Sequence, residues 1–255
     1  MEDYGDTSTQ KRVDYTELVR KLVDVDEFKA CDPPLYDDLI AQGFHRAAFF
    51  PSDVAEKLVL DLGAHVGMFT TLAVAHGAKS VFSVEMNPDN YYKLIHFTEK
   101  MDNVQCRNWG VSDGRTDFLY PREAGSICKG HKDGQPGETS IPAVSFDDVV
   151  KASGFMSKSE EAVLKIDIEG SEYDALYCAS GNMIRRFKTI FMETHPPVGE
   201  PGPARSNAFI KEFLGFFGFK EVFATPIFFF RWDADGKITA CDKVKDLEIV
   251  KLVRT

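Results

Sequence analysis

The sequence predicts an α/β fold, a mostly parallel twisted sheet with helices on both faces, and three observations lead there. From residue 57 onward, apolar runs of strand length alternate with segments of helical period, the βαβα rhythm of a parallel sheet. The first run, KLVLDLG, enters its helix through the turn Asp61-Leu62-Gly63-Ala64-His65-Val66-Gly67. A later run, VLKIDIEG, has the apolar pattern of a buried strand yet carries Lys165, Asp167 and Glu169 at every second position, which an extended chain would set on one face.

Taken in order, residues 1–12 read as a flexible solvated tail, 13–56 as an N-terminal helical cap and 57–255 as the main domain. In the cap, Asp14 and Glu17 frame a capping-box-like start for a helix with Tyr15, Leu18, Leu22 and Val25 on one stripe. A second helix is expected to be capped by Asp32, with Pro33 in its first turn and Gly43 as its stop. In the main domain the expected order is strand KLVLDLG, helix around MFTTLAVAHG, strand SVFSVE, then helix NPDNYYKLIHFTEKM opened by Asn87 and Pro88. VQCRNWGVS follows as a third strand, VLKIDIEG as a fourth, a helix through YDALYCAS, and KTIFMETH as a fifth strand. FKEVFAT, IFFFRW and LEIVKLV read as late strands adding an antiparallel edge. Two stretches rich in Gly, Pro and polar residues, 122–140 and 196–206, break the rhythm. They are surface loops or, following sheet strands, walls of a pocket.

Composition bounds the function. With 255 residues and 44% apolar content the chain can bury one sizeable core. A formal charge of -10 disfavours a nucleic-acid backbone as partner, because phosphate binding needs clustered Lys and Arg. The five cysteines, Cys31, Cys106, Cys128, Cys178 and Cys241, are scattered without a CxxC pair, as expected of free thiols in a reducing compartment. The polar start MEDYGDTSTQKR lacks an apolar signal, and no run approaches the ~20 residues of a membrane span, so a cytoplasmic protein without a membrane span is expected. Nothing in the sequence fixes the oligomeric state.

In open parallel sheets ligands sit beyond the carboxyl ends of the strands. A dinucleotide turn needs G-x-G-x-x-G, whose second glycine lets the backbone approach a pyrophosphate; here His65 holds that place and Asp61 stands beside it. S-adenosylmethionine (SAM) suits the turn better, having no phosphate and carrying an ammonium and a sulfonium. Glu85 ends the second strand, where a carboxylate can accept from ribose hydroxyls. The plainer reading gives Gly63 and Gly67 to tight packing and Glu85 to the electrostatics of a helix start.

The runs VLDLGAHVGMFTTLAV, FSVEMNPDNYYKL, WGVSDG, IPAVSFDDVV, LKIDIEGSEYDALYCA and IFMETHPP resemble the FkbM-type SAM-dependent O-methyltransferases over roughly residues 57–225. The resemblance implies a class I, Rossmann-like methyltransferase fold, SAM as cofactor, and methyl transfer to a hydroxyl, often on a sugar or natural product. Asp61, Gly63, Ala64, Gly67 and Glu85 fall on the family's cofactor motifs, with His65 and Met86 inside them, and Asp113 falls where such enzymes commonly contact the adenine. His65 stands where Asn is common in the family.

Methyl transfer displaces a good leaving group, so the demand falls on the nucleophile, and an alkyl hydroxyl needs a base or a metal. Asp167 and Glu169 end the fourth strand, and Glu193 and His195 end the fifth. Either His195 or Asp167 acts as general base, or Asp167, Glu193 and His195 hold a divalent cation such as Mg. Lys165 is expected as the counter-charge that a buried carboxylate requires. The plainest alternative makes the whole cluster a structural ion pair. The aromatic residues Phe213, Phe216, Phe217, Phe219 and Phe228 to Phe230 are expected in the C-terminal core, and Trp109 either in the core or on the adenine. Three functions follow: an O-methyltransferase acting on a small-molecule or glycan acceptor, a nicotinamide-dependent oxidoreductase, and a non-catalytic binding module of the same fold.

Overall fold

A computed structural model describes the backbone of residues 14–37, 40, 51–115, 118–121, 138–195, 206–232 and 238–255, and side chains in all of these but 118–121, 138–139, 225–232 and 238–247. The expected tail 1–12, the Gly43 stop, most of the 122–140 stretch and the 196–205 loop lie outside the described residues.

The chain begins with short helices α1 (Thr16–Val19), α2 (Val25–Cys31), α3 (Pro33–Tyr36) and α4 (Pro51–Val54). It continues as β1 (Leu58–Leu62), α5 (Met68–Ala75), β2 (Ser80–Val84), α6 (Pro88–Thr98), β3 (Val104–Arg107) and β4 (Gly110–Ser112). Next come β5 (Phe118–Pro121), β6 (Glu138–Ile141), β7 (Ala143–Ser145), α7 (Phe146–Ala152), β8 (Ala162–Ile166), α8 (Glu172–Tyr177) and α9 (Gly181–Ile184). The chain closes with β9 (Phe187–Thr194), α10 (Asn207–Gly215), β10 (Phe219–Trp232) and β11 (Ile238–Arg254).

Seven strands form one sheet in the order β10-β11-β9-β8-β1-β2-β3. The five strands from β3 to β9 are parallel, and β11 runs antiparallel to both β9 and β10, the antiparallel edge expected from the late apolar runs. Period-two alternation divides the strands between two cores. Leu58, Leu60 and Leu62 of β1, with Leu164 and Ile166 of β8, pack against Phe146, Tyr173 and Phe187 on one face. Val59 and Val163 face the other core, where Phe69, Phe97 and Phe191 meet Tyr15, Val19, Phe28 and Tyr36 of the N-terminal helices. On this second face Asp61 and Lys165 are direct cross-strand partners.

Local signals set several boundaries. Asn87 accepts from the amides of Asp89 and Asn90 and Pro88 occupies the first turn, so α6 starts where expected. Asp32 likewise accepts from Leu35 N to cap α3. Four expectations are corrected. The single helix carrying Tyr15 to Val25 is two, because Asp24 turns extended and caps a new start at Val25 through Asp26 N and Glu27 N. The strand VQCRNWGVS breaks at Asn108, whose Nδ2 donates to the carbonyls of Glu85 and Met86, and Gly110–Ser112 pairs with β7 instead. FKEVFAT and IFFFRW are one long edge strand, with an irregularity between Pro226 and Phe228; a proline without an amide donor is tolerated there. Phe216 is 76% exposed, whereas Phe219 is buried and Phe213 and Phe217 pack on the core. Trp109 also packs against the core. Phe228 to Phe230 lie outside the described side chains. Cys31, Cys106 and Cys178 are free thiols. Among the described residues no helix is long and apolar enough to cross a membrane.

Candidate functional site

At the tip of β1 the backbone turns sharply. Gly63 has φ +78°, and a Cβ built on it would lie 1.7 Å from the carbonyl oxygen of Asp167, so only glycine lets the β1 and β8 ends approach this closely. His65 follows with φ +52°. Its amide donates to Glu85 Oε2 at 2.7 Å, while Asn87 N donates to Glu85 Oε1 at 2.7 Å. Glu85 is thus stretched from the end of β2 to the β1 turn; burial pushes its carboxyl above the ordinary value against these two amides. Beneath the turn, fully buried Asp61 accepts from Thr70 Oγ1 at 2.7 Å, and that hydroxyl meets Ser83 Oγ at 2.7 Å.

Lys165 links this turn to the β8 tip. Its Nζ donates to Gly63 O at 2.6 Å and lies 3.4 Å from both Asp61 Oδ1 and Asp167 Oδ2. Burial would lower the ammonium, but Asp167, Asp61, Glu193 and Glu85 outweigh it and raise it, so Lys165 stays charged. The counter-charge expected from the sequence is met, with two carboxylates rather than one.

β8 ends at Ile166, earlier than the alternation suggested. Asp167 N still donates to Leu62 O at 3.1 Å, but Glu169 has φ +56° and Gly170 +96°, so the chain reverses. Glu169 is therefore not on a common extended face with Lys165 and Asp167. The reversal returns it toward the same point, and His195 is where the groups converge. Its Nε2 lies 3.6 Å from Glu193 Oε1, 3.7 Å from Glu169 Oε2 and 3.8 Å from Asp167 Oδ1. Its Nδ1 sits 3.0 Å from Glu172 Oε1. Burial alone would push the imidazole down; the hydrogen bond and charge of Glu172, then Asp167 and Glu193, prevail and raise it to about 9. The acids around it thus favour the charged imidazole, against the direction that burial alone would give. One ligand atom each from Asp167, Glu193 and His195 lie within 4.8 Å of one another, a spacing that could hold a metal ion.

A cleft of ≈ 500 Å³, counting its mouth, joins the two tips. Gly63, Ala64 and His65 line it on one side, and Lys165, Asp167 and Glu193 on the other. Phe69, Phe191 and Ile249 make its apolar wall, and Leu35 of the N-terminal helices reaches into it. His65 Nε2 points toward Asp32 of the same helices, 4.0 Å away, and burial holds its imidazole below the ordinary value, in the neutral form. Five expected cofactor residues, Asp61, Gly67, Glu85, Met86 and Asp113, do not line the cleft, nor do the expected Glu169 and His195. Glu85 touches it only through His65, Met86 packs on Ile141 and Ala143, and Asp113 caps its own turn by accepting from Arg115 N at 3.1 Å.

Sequence reasoning missed Glu172, Leu35 and Asp32. Glu172 reads as an ordinary first-turn helix acid, yet it is fully buried. Its one sequence signal is the motif KIDIEGSE itself, in which the last acid follows the glycine turn.

Seven strands in this order, the last pair antiparallel and the ligand cleft at the parallel strand ends, are the class I methyltransferase fold. The methyltransferase FkbM domain matches residues 61–221, and the chain belongs to that family. No curated protein matches its sequence. Among solved structures it is similar to a candidate RNA methyltransferase from Pyrococcus horikoshii (15% identity, 80% of this chain and 78% of that one, TM-score 0.41). It is also similar to a Thermoplasma acidophilum protein (10% identity, 94% and 95%, TM-score 0.43) and to M. jannaschii TYW2 in complex with AdoMet (16% identity, 79% and 71%, TM-score 0.39). Likenesses of this strength say nothing of what this chain acts on.

Proposed function

We propose that this chain is a SAM-dependent O-methyltransferase acting on a hydroxyl of a sugar, glycan or other small molecule. One observation carries the reading: the glycine turn at the β1 tip and the acidic cluster at the β8 and β9 tips open into a single cleft, so that donor and acceptor would share one space. Gly63, Ala64 and His65 would hold the donor's methionine end. Glu85, with each oxygen using one acceptor site on a backbone amide, retains capacity for ribose hydroxyls. Asp61 and Lys165 brace the turn from below. When bound, SAM supplies an activated methyl on a sulfonium, whose displacement needs an in-line oxygen and little help at the leaving group.

The chain's own residues must therefore handle the acceptor's proton. Asp167 is the preferred base, because it is a partly exposed acid on the cleft wall whereas the acids around His195 favour its charged form. The nearby imidazolium and Lys165 would stabilise the negative charge developing on the oxygen. A second reading is favoured by the donor set: a divalent cation at Asp167, Glu193 and His195 would displace the imidazole's proton and polarise the hydroxyl. Glu169, 65% exposed at the rim, would contact the acceptor in either case. The unpaired cysteines support a cytoplasmic setting.

The test is incubation with methyl-labelled SAM and a panel of sugars, glycans and hydroxylated small molecules, with mass and position of methylation read on the product. Transfer to oxygen supports the proposal; transfer to nitrogen or carbon alone would overturn the O-methylation. SAM binding with no transfer to any acceptor would favour the non-catalytic module. Activity that survives exhaustive chelation would leave Asp167 acting without a metal.

A further inference from the structure

The buried acid Glu172 belongs to no role assigned so far. Its carboxylate is fully buried in the first turn of α8, where a charge is costly unless it is bonded. Oε1 accepts from the amide of Ile168 at 2.9 Å and faces His195 Nδ1 at 3.0 Å. Oε2 is buried and makes no hydrogen bond. A side chain placed for helix stability alone would sit in solvent near the free amides of the first turn. This one instead ties the loop after β8 to the residue that ends β9. Tyr173, the next residue of α8, donates its hydroxyl to the backbone carbonyl of His195 at 3.0 Å, so one helical turn holds both the main chain and the ring of this histidine.

We propose that Glu172 is the positioning residue of the site: by accepting the Nδ1 hydrogen it fixes the ring plane and presents Nε2 to Asp167 and Glu193, two acids of the cleft wall. A carboxylate is an acceptor only, so the nitrogen facing it must be the protonated one. Free neutral histidine favours the opposite tautomer, with hydrogen on Nε2; the buried acid reverses that preference. Nε2 is then the atom that faces Asp167, Glu169 and Glu193, whether a proton, an acceptor or a cation lies between them. Outer partners of this kind orient a ring and set which nitrogen is available. The same bond to Ile168 N holds the reversal at Glu169 and Gly170 in register with Asp167.

The inference goes beyond methyl transfer and its test needs neither donor nor acceptor. The full-length chain is labelled with 15N-histidine and freed of metal with a chelator, and long-range proton-nitrogen spectra are recorded at rising pH until the His195 signals no longer move and the ring is neutral. In the wild type the His195 signals should be those of the Nδ1-protonated tautomer. Glu172→Gln keeps an acceptor oxygen and should keep that tautomer. Glu172→Leu should move the signals to the Nε2-protonated form. A wild-type His195 protonated on Nε2, or a folded Glu172→Leu chain that keeps hydrogen on Nδ1, would overturn the proposal. If Glu172→Leu does not fold, the wild-type and Glu172→Gln spectra decide alone. A chain that binds no SAM yet shows the Nδ1 tautomer would sink the proposed methyl transfer and leave the positioning role standing.

Discussion

The two ends of the cleft are built on opposite electrostatic plans. At the β1 and β2 tips each acid is answered: Asp61 by Thr70 and Lys165, Glu85 by the amides of His65 and Asn87. At the β8 and β9 tips, Asp167, Glu169, Glu193 and Glu172 crowd around one imidazole, with one ammonium alongside. The first end answers its acids with donors of the fold, although Asp61 Oδ1 and His65 Nδ1 stay buried without a hydrogen bond, and suits holding a ligand in fixed geometry. The second gathers four acids about one imidazole and one ammonium, and gains by taking up a proton or cation. On the proposed function, that difference would separate binding from chemistry within one cleft.

Lys165 is where the two plans touch, and removing it should break the comparison most severely. Lys165→Met leaves Asp61 without its ammonium in a fully buried place, and removal of one partner of a buried pair costs about 3–5 kcal/mol. Denaturant unfolding should show a loss of that size; a loss under about 1 kcal/mol would mean that Asp61 is neutral without its partner. Gly63→Ala attacks the seam itself. The left-handed backbone and the contact with Asp167 O together should cost about 2–4 kcal/mol and abolish SAM binding, read by thermal shift with and without ligand. Wild-type melting in that variant would show that the β1 and β8 ends can part freely.

A smaller effect sharpens the second end. The folded chain holds the His195 proton more tightly than an unfolded chain does, since the value rises from 6.5 to about 9. This contribution to stability is fully present below pH 6.5 and is lost as pH rises through about 9, amounting to roughly 3 kcal/mol at most. In chelator, wild-type stability should fall across that window, and His195→Gln should lack that part of the slope. Identical profiles would mean that the acids do not hold the proton.

How far the sequence disclosed these two ends depended on the range of the interactions. The β1 turn was legible because its determinants are local: an apolar run, then Gly63 and Gly67 at fixed places, then a helix. The identities of Asp167, Glu193 and His195 were legible too, because consecutive strands of a parallel sheet bring their ends together. Glu172 was not, since its meeting with His195, 23 residues later, depends on how α8 settles under the sheet. Nor was the reversal at Glu169, as a non-glycine residue at φ +56° leaves no compositional mark. The raised His195 value follows from those same contacts and could not be read from an isolated histidine. The share of the N-terminal helices in the cleft was hidden for a similar reason: Asp32 reads as a helix cap, and only packing brings it to His65 and Leu35 to the cleft wall.

The central claim is that binding resides at one end and chemistry at the other, and calorimetric titration with SAM tests it most directly. The account predicts that the wild type binds, that Glu85→Ala weakens binding at least tenfold, about 1.4 kcal/mol, and that Asp167→Asn binds within about threefold of wild type while losing methyl transfer. No binding by the wild type, or equal losses in Glu85→Ala and Asp167→Asn, would contradict it.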